Sequence, residues 1–127
     1  MNVLILVVDD EPDVTDLFRQ QFRRELRAGR FAMAFAHSAA EALERINGAN
    51  EPSLILMLSD INMPGLSGLD LQDRVRRVRP ALPIILMTAL TDDTTRRRAF
   101  AGGARDLLRK PLAADDLIRC LEDTIGA

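Results

Sequence analysis

The sequence predicts a single α/β domain built on a parallel sheet with helices on both faces. Three observations carry this. Short apolar runs alternate five times with longer stretches whose apolar residues recur at helical spacing. The first run, Val3-Leu4-Ile5-Leu6-Val7-Val8, is apolar at every position, as a strand buried on both faces requires. The length, 127 residues, suits one domain with one core. Strict strand–helix alternation implies right-handed crossovers, which cover both faces of a doubly wound sheet.

Each element follows from local chemistry. An amphipathic helix is expected over 13–28, with Val14, Leu17, Phe18, Gln21, Phe22, Glu25 and Leu26 along its stripe and Gly29 closing it. Phe31, Met33 and Phe35 alternate with Ala32, Ala34 and Ala36, giving a second strand with one bulky and one small face. Ser38 opens a second helix through Ile46, with Glu41 as its capping-box partner. The third strand runs over 54–58, and Asn62-Met63-Pro64-Gly65 breaks it. A third helix spans 67–78 and is closed by Pro80; the fourth strand is 84–87 and the fourth helix 92–101. A short fifth strand, Leu107-Leu108, leads to Lys110-Pro111, and a last helix over 115–125 places Leu117, Ile118, Leu121 and Ile125 on one side. No repeat, low-complexity tract or linker interrupts this, so residues 1–127 read as one domain.

Charge and composition exclude several functions. Seventeen basic against nineteen acidic side chains leave a net charge of −2, no basis for sequence-independent nucleic-acid binding. The apolar runs fall far short of the ~18 residues a membrane span needs. The N-terminus has no cationic lead-in and meets Asp9-Asp10-Glu11, unlike a signal peptide. A lone Cys120 permits no internal disulfide, which suits a reducing cytosol. The expectation is a cytoplasmic protein with no membrane contact and no direct nucleic-acid contact.

In doubly wound sheets, ligands sit at the carboxyl ends of the strands, near the switch in strand order. Here the first strand ends in Asp9-Asp10, the third in Asp60, the fourth in Thr88-Ala89 and the fifth in Lys110-Pro111, the first and third being neighbours at the sheet centre. Each group alone has an ordinary explanation, as a helix cap, a turn former, a β-branched strand residue or a solvated lysine. Together, complementary groups on four strand ends are poorly explained by turn chemistry. Carboxylates ~4 Å apart repel by about 4 kcal/mol per pair at an effective dielectric near 20, so the cluster calls for a cation. Oxygen donors without His or a second Cys select a hard ion such as Mg²⁺. A carboxylate can also accept a phosphoryl group, given a metal for the equatorial oxygens and a cation for the remaining charge.

Val7-Val8-Asp9-Asp10-Glu11, Ser59-Asp60-Ile61-Asn62-Met63-Pro64-Gly65, Met87-Thr88-Ala89, Gly103-Ala104 and Arg109-Lys110-Pro111, in this order and spacing, closely resemble the receiver domains of two-component response regulators, the chemotaxis-regulator-like type included. The resemblance covers essentially the whole chain. It implies a flavodoxin-like (βα)₅ fold with strand order 2-1-3-4-5. It implies that Asp60 accepts phosphate from a histidine kinase, a phosphotransfer protein or a small phosphodonor. Asp10 and Asp60 would ligate Mg²⁺ with the Asn62 backbone carbonyl, and Asp9 would act through water. Thr88 would bind a phosphoryl oxygen, and Lys110 would pair with Asp60 and then with phosphate. The Lys110–Pro111 bond would be cis. Signalling would run through the fourth and fifth helices to a partner or output domain, with dimerisation on phosphorylation; the chain would be a signalling domain and not an enzyme.

Two departures stand out. Leu107 occupies a position where the family often has an aromatic residue that swings inward, so the readout here must differ or rely on backbone shifts. The fourth helix is unusually polar, from Thr91 to Arg98, and Arg96 to Arg98 read as a solvated face or a partner surface. The groups Arg23-Arg24-Arg27 and Arg74-Arg76-Arg77-Arg79 read as solvated faces, Cys120 as a small core residue and His37 as solvent-facing. Sixteen of the seventeen cations are Arg, and the single lysine falls at Lys110, where a compact ammonium fits between a carboxylate and a phosphoryl oxygen. Three alternatives bear on function. A haloacid-dehalogenase-like phosphatase with an Asp nucleophile would need an acid two residues on, where Asn62 stands. A flavin carrier would be repelled by Asp9-Asp10-Glu11 at its phosphate loop. The chain also reads as a receiver fragment of a longer regulator, cut near 125–127, with an enzymatic output such as a nucleotide cyclase.

Overall fold

The computed structural model describes residues 4–48, 54–89, 92–110 and 112–125. Val3, Thr91, Pro111 with its expected cis bond, and the expected cut at 126–127 lie outside the described residues. The elements are β1 (Leu4–Val8), α1 (Pro12–Gln21), α2 (Arg23–Arg27), β2 (Ala32–Ala36), α3 (Ala39–Gly48), β3 (Leu54–Asp60), α4 (Gly68–Val78), β4 (Ile84–Thr88), α5 (Asp93–Ala101), β5 (Asp106–Arg109) and α6 (Ala114–Ile125). The five strands are parallel in the order β2-β1-β3-β4-β5. That is the flavodoxin-like topology expected, and it sets β1 beside β3 at the centre.

Strand periodicity sorts the core into two layers. Leu6 and Val8 of β1, Met57 of β3, Ile84 and Leu86 of β4 and Leu107 of β5 face α3, α4 and α5. Ile5 and Val7, Leu56 and Leu58, and Ile85 and Met87 face α1, α2 and α6. Both layers are apolar, which is why β1, β3 and β4 read as continuous apolar runs.

The expected first helix over 13–28 is instead two helices meeting at Phe22 (φ −107°, ψ 22°). Phe22 is fully buried, stacked on Phe18 at 5.9 Å and edge-on to Phe31 at 6.1 Å. Turning the backbone there lets one ring reach both neighbours while the helical hydrogen bonds Phe22 N–H to Phe18 O and Leu26 N–H to Phe22 O persist. Leu17, expected in the stripe, is 60% exposed, because α1 packs through Val14 and Phe18. Counting the split, the fourth and fifth helices of the sequence reading are α5 and α6. Gly29 closes α2 at φ 71°, as its position suggested. Ser38 caps α3 by accepting the Glu41 amide at 3.0 Å; Glu41 in return accepts from His37, one residue earlier than the usual box.

α5 buries only Ala99 and is fastened to α4 largely by polar contacts. Gln72, fully buried, donates to the Ala99 carbonyl at 3.2 Å, Arg98 pairs with Asp70 at 3.2 Å, and Arg76 donates to the Gly103 carbonyl at 3.3 Å. Arg96 lies over the Phe100 ring at 5.3 Å. Arg96 to Arg98 are exposed as expected, and so are Arg23, Arg24, Arg27, Arg74 and Arg77. Arg76 and Arg79 are the exceptions in their group, both half-buried; Arg76 covers Gly103, where any side chain would strike its guanidinium.

Candidate functional site

The strand ends converge on one rim. Asp9 and Asp10 follow β1, Asp60 ends β3, Thr88 ends β4 and Lys110 follows β5. Asp9, Asp10 and Asp60 each offer a carboxylate oxygen, all within 4.8 Å of one another. Asp9 (2% exposed), Asp60 (4%) and Thr88 (1%) are buried, and Asp10 is half-buried. Lys110 reaches across from the edge strand and places Nζ 2.6 Å from Asp9 Oδ2 and 3.3 Å from Asp60 Oδ2. The ammonium thus serves two carboxylates, with the shorter contact to Asp9, whereas the family resemblance had pointed to Asp60. Asp9 is fixed from its other oxygen by the Glu11 amide at 3.0 Å. Among the described residues, no hydrogen bond or ion pair engages the Asp10 carboxylate.

The turn after β3 aims Asp60. Its Oδ1 accepts the Asn62 amide at 3.3 Å, and the Asn62 side chain donates to Thr88 Oγ1 at 3.3 Å. This side-chain contact goes beyond the Asn62 carbonyl that the resemblance implies; the Asp-x-Asn spacing after a strand is its sequence signal. Gly65, at φ 78°, lets the loop double back to α4. There the Gly68 amide donates to Ile61 O at 2.8 Å. Ser67 and Asp70 form a reciprocal capping box at the start of α4. A Cβ on Gly68 would lie 2.2 Å from the Asp60 carbonyl oxygen, so α4 rests directly on the backbone of the candidate acceptor.

Burial holds the Asp60 carboxyl above its ordinary range; the neighbouring Asp9 charge acts in the same sense, while Lys110 and the Asn62 amide oppose it. For Lys110, burial alone would lower the pKa, but its contacts with Asp9 and Asp60 prevail and raise it. Three carboxylates against one ammonium leave two negative charges uncompensated at the rim, the charge of one divalent cation. The donors are all oxygens, so the residues present fit a hard ion such as Mg²⁺. His37 is exposed, with Nδ1 3.2 Å from the Asp9 backbone carbonyl, and adds no ligand to the carboxylate group. Cys120, away from this rim, is half-buried and donates its thiol to Asp106 Oδ2 at 3.2 Å.

A family model described as the response regulator receiver domain matches residues 5–122. The chain belongs to the response regulator receiver family. It is 36% identical to response regulator MprA of Mycobacterium ulcerans (strain Agy99) over 118 residues, 93% of this chain and 48% of the relative. It is equally similar, over the same shares, to MprA of Mycobacterium tuberculosis (strain ATCC 25618 / H37Rv). The receiver therefore spans about half the length of the curated relatives it matches. Among solved structures, a response regulator receiver domain protein from Clostridium thermocellum superposes with a TM-score of 0.86 at 27% identity, covering 98% of this chain and 94% of that one. A response regulator receiver protein from Pseudomonas putida gives 0.85 at 27% identity over 97% and 98%. No helix among the described residues of this receiver is long and apolar enough to cross a membrane.

Proposed function

We propose that this receiver is a cytoplasmic phosphoacceptor in which Asp60 takes a phosphoryl group from a histidine kinase or phosphotransfer protein. The observation that carries the reading is the buried Asp60 carboxylate, held 3.3 Å from the Lys110 ammonium and grouped with Asp9 and Asp10. An Asp60 carboxylate oxygen attacks phosphorus, the bond to the donor's imidazole nitrogen breaks, and its electron pair leaves with the imidazole. Mg²⁺ held by Asp10, Asp60 and the Asn62 carbonyl, with Asp9 acting through water, would supply positive charge to the phosphoryl oxygens. Lys110 balances the charge that remains, and keeps Asp9 occupied so that Asp10 is the free ligand. The Thr88 hydroxyl exchanges its contact with the Asn62 amide for a phosphoryl oxygen. The chain modifies only itself, and so signals rather than turning over a substrate. The change is read by a partner or output domain at α5 and α6, or by dimerisation.

Acetyl phosphate with Mg²⁺ should add one phosphoryl group, read by intact mass, and Asp60→Ala should abolish it; stoichiometric labelling of that variant overturns the assignment. A pull-down with the beryllofluoride-treated protein against untreated protein then identifies the reader. The lengths of the relatives favour a second reading, a receiver joined to a separate output module. The mass of the protein isolated from its source decides it.

A further inference from the structure

Beside the acceptor, between α1 and the segment following β5, lies a cleft of ≈ 430 Å³ that the proposed chemistry does not use. Its walls are Val14, Leu17 and Phe18 of α1, with Met87 and Leu112 opposite, and Lys110 closes the end nearest Asp60. The Gln21 side chain donates to the Leu112 carbonyl at 3.0 Å and ties α1 to the far wall. Leu17 is 60% exposed, the most exposed large apolar side chain among the described residues, so this apolar wall stands open to water next to the phosphoryl-transfer centre. An open apolar wall against a polar centre suits an occupant with one charged and one apolar end. Any phosphodonor has its leaving group on the side of phosphorus away from Asp60, and Lys110, 3.3 Å from Asp60, is the residue shared by the cleft and the carboxylate group.

We propose that this cleft seats the apolar acyl chain of a small acyl phosphate and makes the receiver selective for donors with longer acyl chains. The proposal rests on Asp60 being the acceptor. In the step, an Asp60 carboxylate oxygen forms the new bond to phosphorus. The bond between phosphorus and the acyl oxygen breaks, and its electron pair leaves on the departing carboxylate. No proton is transferred and nothing is oxidised or reduced. The chain makes its contacts with Val14, Leu17, Phe18 and Leu112 as phosphorus approaches Asp60, so the selectivity appears in the second-order rate of phosphorylation.

Acetyl and butyryl phosphate have leaving groups of nearly equal basicity and differ only in apolar length, so their ratio isolates the cleft. With the full chain and Mg²⁺, butyryl phosphate should phosphorylate Asp60 about tenfold faster than acetyl phosphate in second-order rate constant. Leu17→Ser, a surface change on α1, should bring the two donors to within about twofold. Equal rates in the wild-type protein overturn the proposal, and so does a preference that survives Leu17→Ser, since the selectivity would then lie elsewhere. Failure of both donors to label the protein, or labelling that survives Asp60→Ala, strikes the phosphoacceptor reading instead.

Discussion

Gly68→Ala tests how firmly the acceptor is seated. The added Cβ would meet the Asp60 carbonyl oxygen at 2.2 Å, the Ile61 Cα at 2.8 Å and the Asp60 carbonyl carbon at 2.9 Å. The first lies more than an ångström inside ordinary contact, and all three are backbone atoms with no rotamer to yield. Gly68 is the first residue of α4, where the alanine would be mildly preferred in the absence of the clash. Relief requires α4 to back away from β3 or the end of β3 to shift. Overpacking of this kind costs about 1–3 kcal/mol. At this chain length each kcal/mol lowers Tm by about 3–5 °C, so a fall of roughly 3–15 °C is expected by thermal denaturation. Labelling by acetyl phosphate should slow as well, because the displaced atoms belong to Asp60. Gly29→Ala is the control: at φ 71° with nothing within 4 Å, it carries only the left-handed backbone penalty of about 1 kcal/mol and should leave labelling intact. Wild-type stability and labelling in Gly68→Ala would refute the claim that α4 bears on the acceptor backbone.

Two further outcomes follow from the charges. Mg²⁺ should raise Tm by mass action on the native state, and Asp10→Asn should raise the metal-free Tm by relieving repulsion while blunting the Mg²⁺ response; a full Mg²⁺ shift in that variant excludes Asp10 as a ligand. Burial, the hydrogen bond to Asp106 and nearby carboxylates push the Cys120 thiol up from 9.0 to about 11. A raised folded-state pKa means that this stabilising contribution is complete below pH 9.0 and is lost as pH climbs through about 11. Alkaline denaturation should therefore be less steep in Cys120→Ser, and native Cys120 should react with a disulfide reagent near neutral pH more slowly than the unfolded chain; equal rates would contradict it.

Strand and helix identity was legible because it depends on local periodicity. The apolar runs at β1, β3 and β4 allow only strands buried on both faces, and the Ser38–Glu41 spacing marks the start of α3. The acidic pair, Asp60, Thr88 and Lys110 were also legible, since a doubly wound sheet brings its strand ends to one rim whatever packs beneath them. What stayed hidden depends on distance across the fold. The turn at Phe22 answers to Phe18 and Phe31, and the 60% exposure of Leu17 answers to how α1 seats on the sheet. The polar fastening of α5 through Gln72, Arg76 and Arg98 joins residues some 27 positions apart, which no periodic signal records.

The sequence by itself determined the fold class, which residues stand at the strand ends and the family, because each is written in spacing along one chain. Only the tertiary structure decided which partners those groups take. Lys110 lies nearer Asp9 than Asp60, the Asn62 amide engages Thr88, and Gly68 presses on the Asp60 backbone. The reason is physical: a side chain's type states which partner it can accept, whereas burial and the positions of neighbouring strands and helices settle which one it reaches.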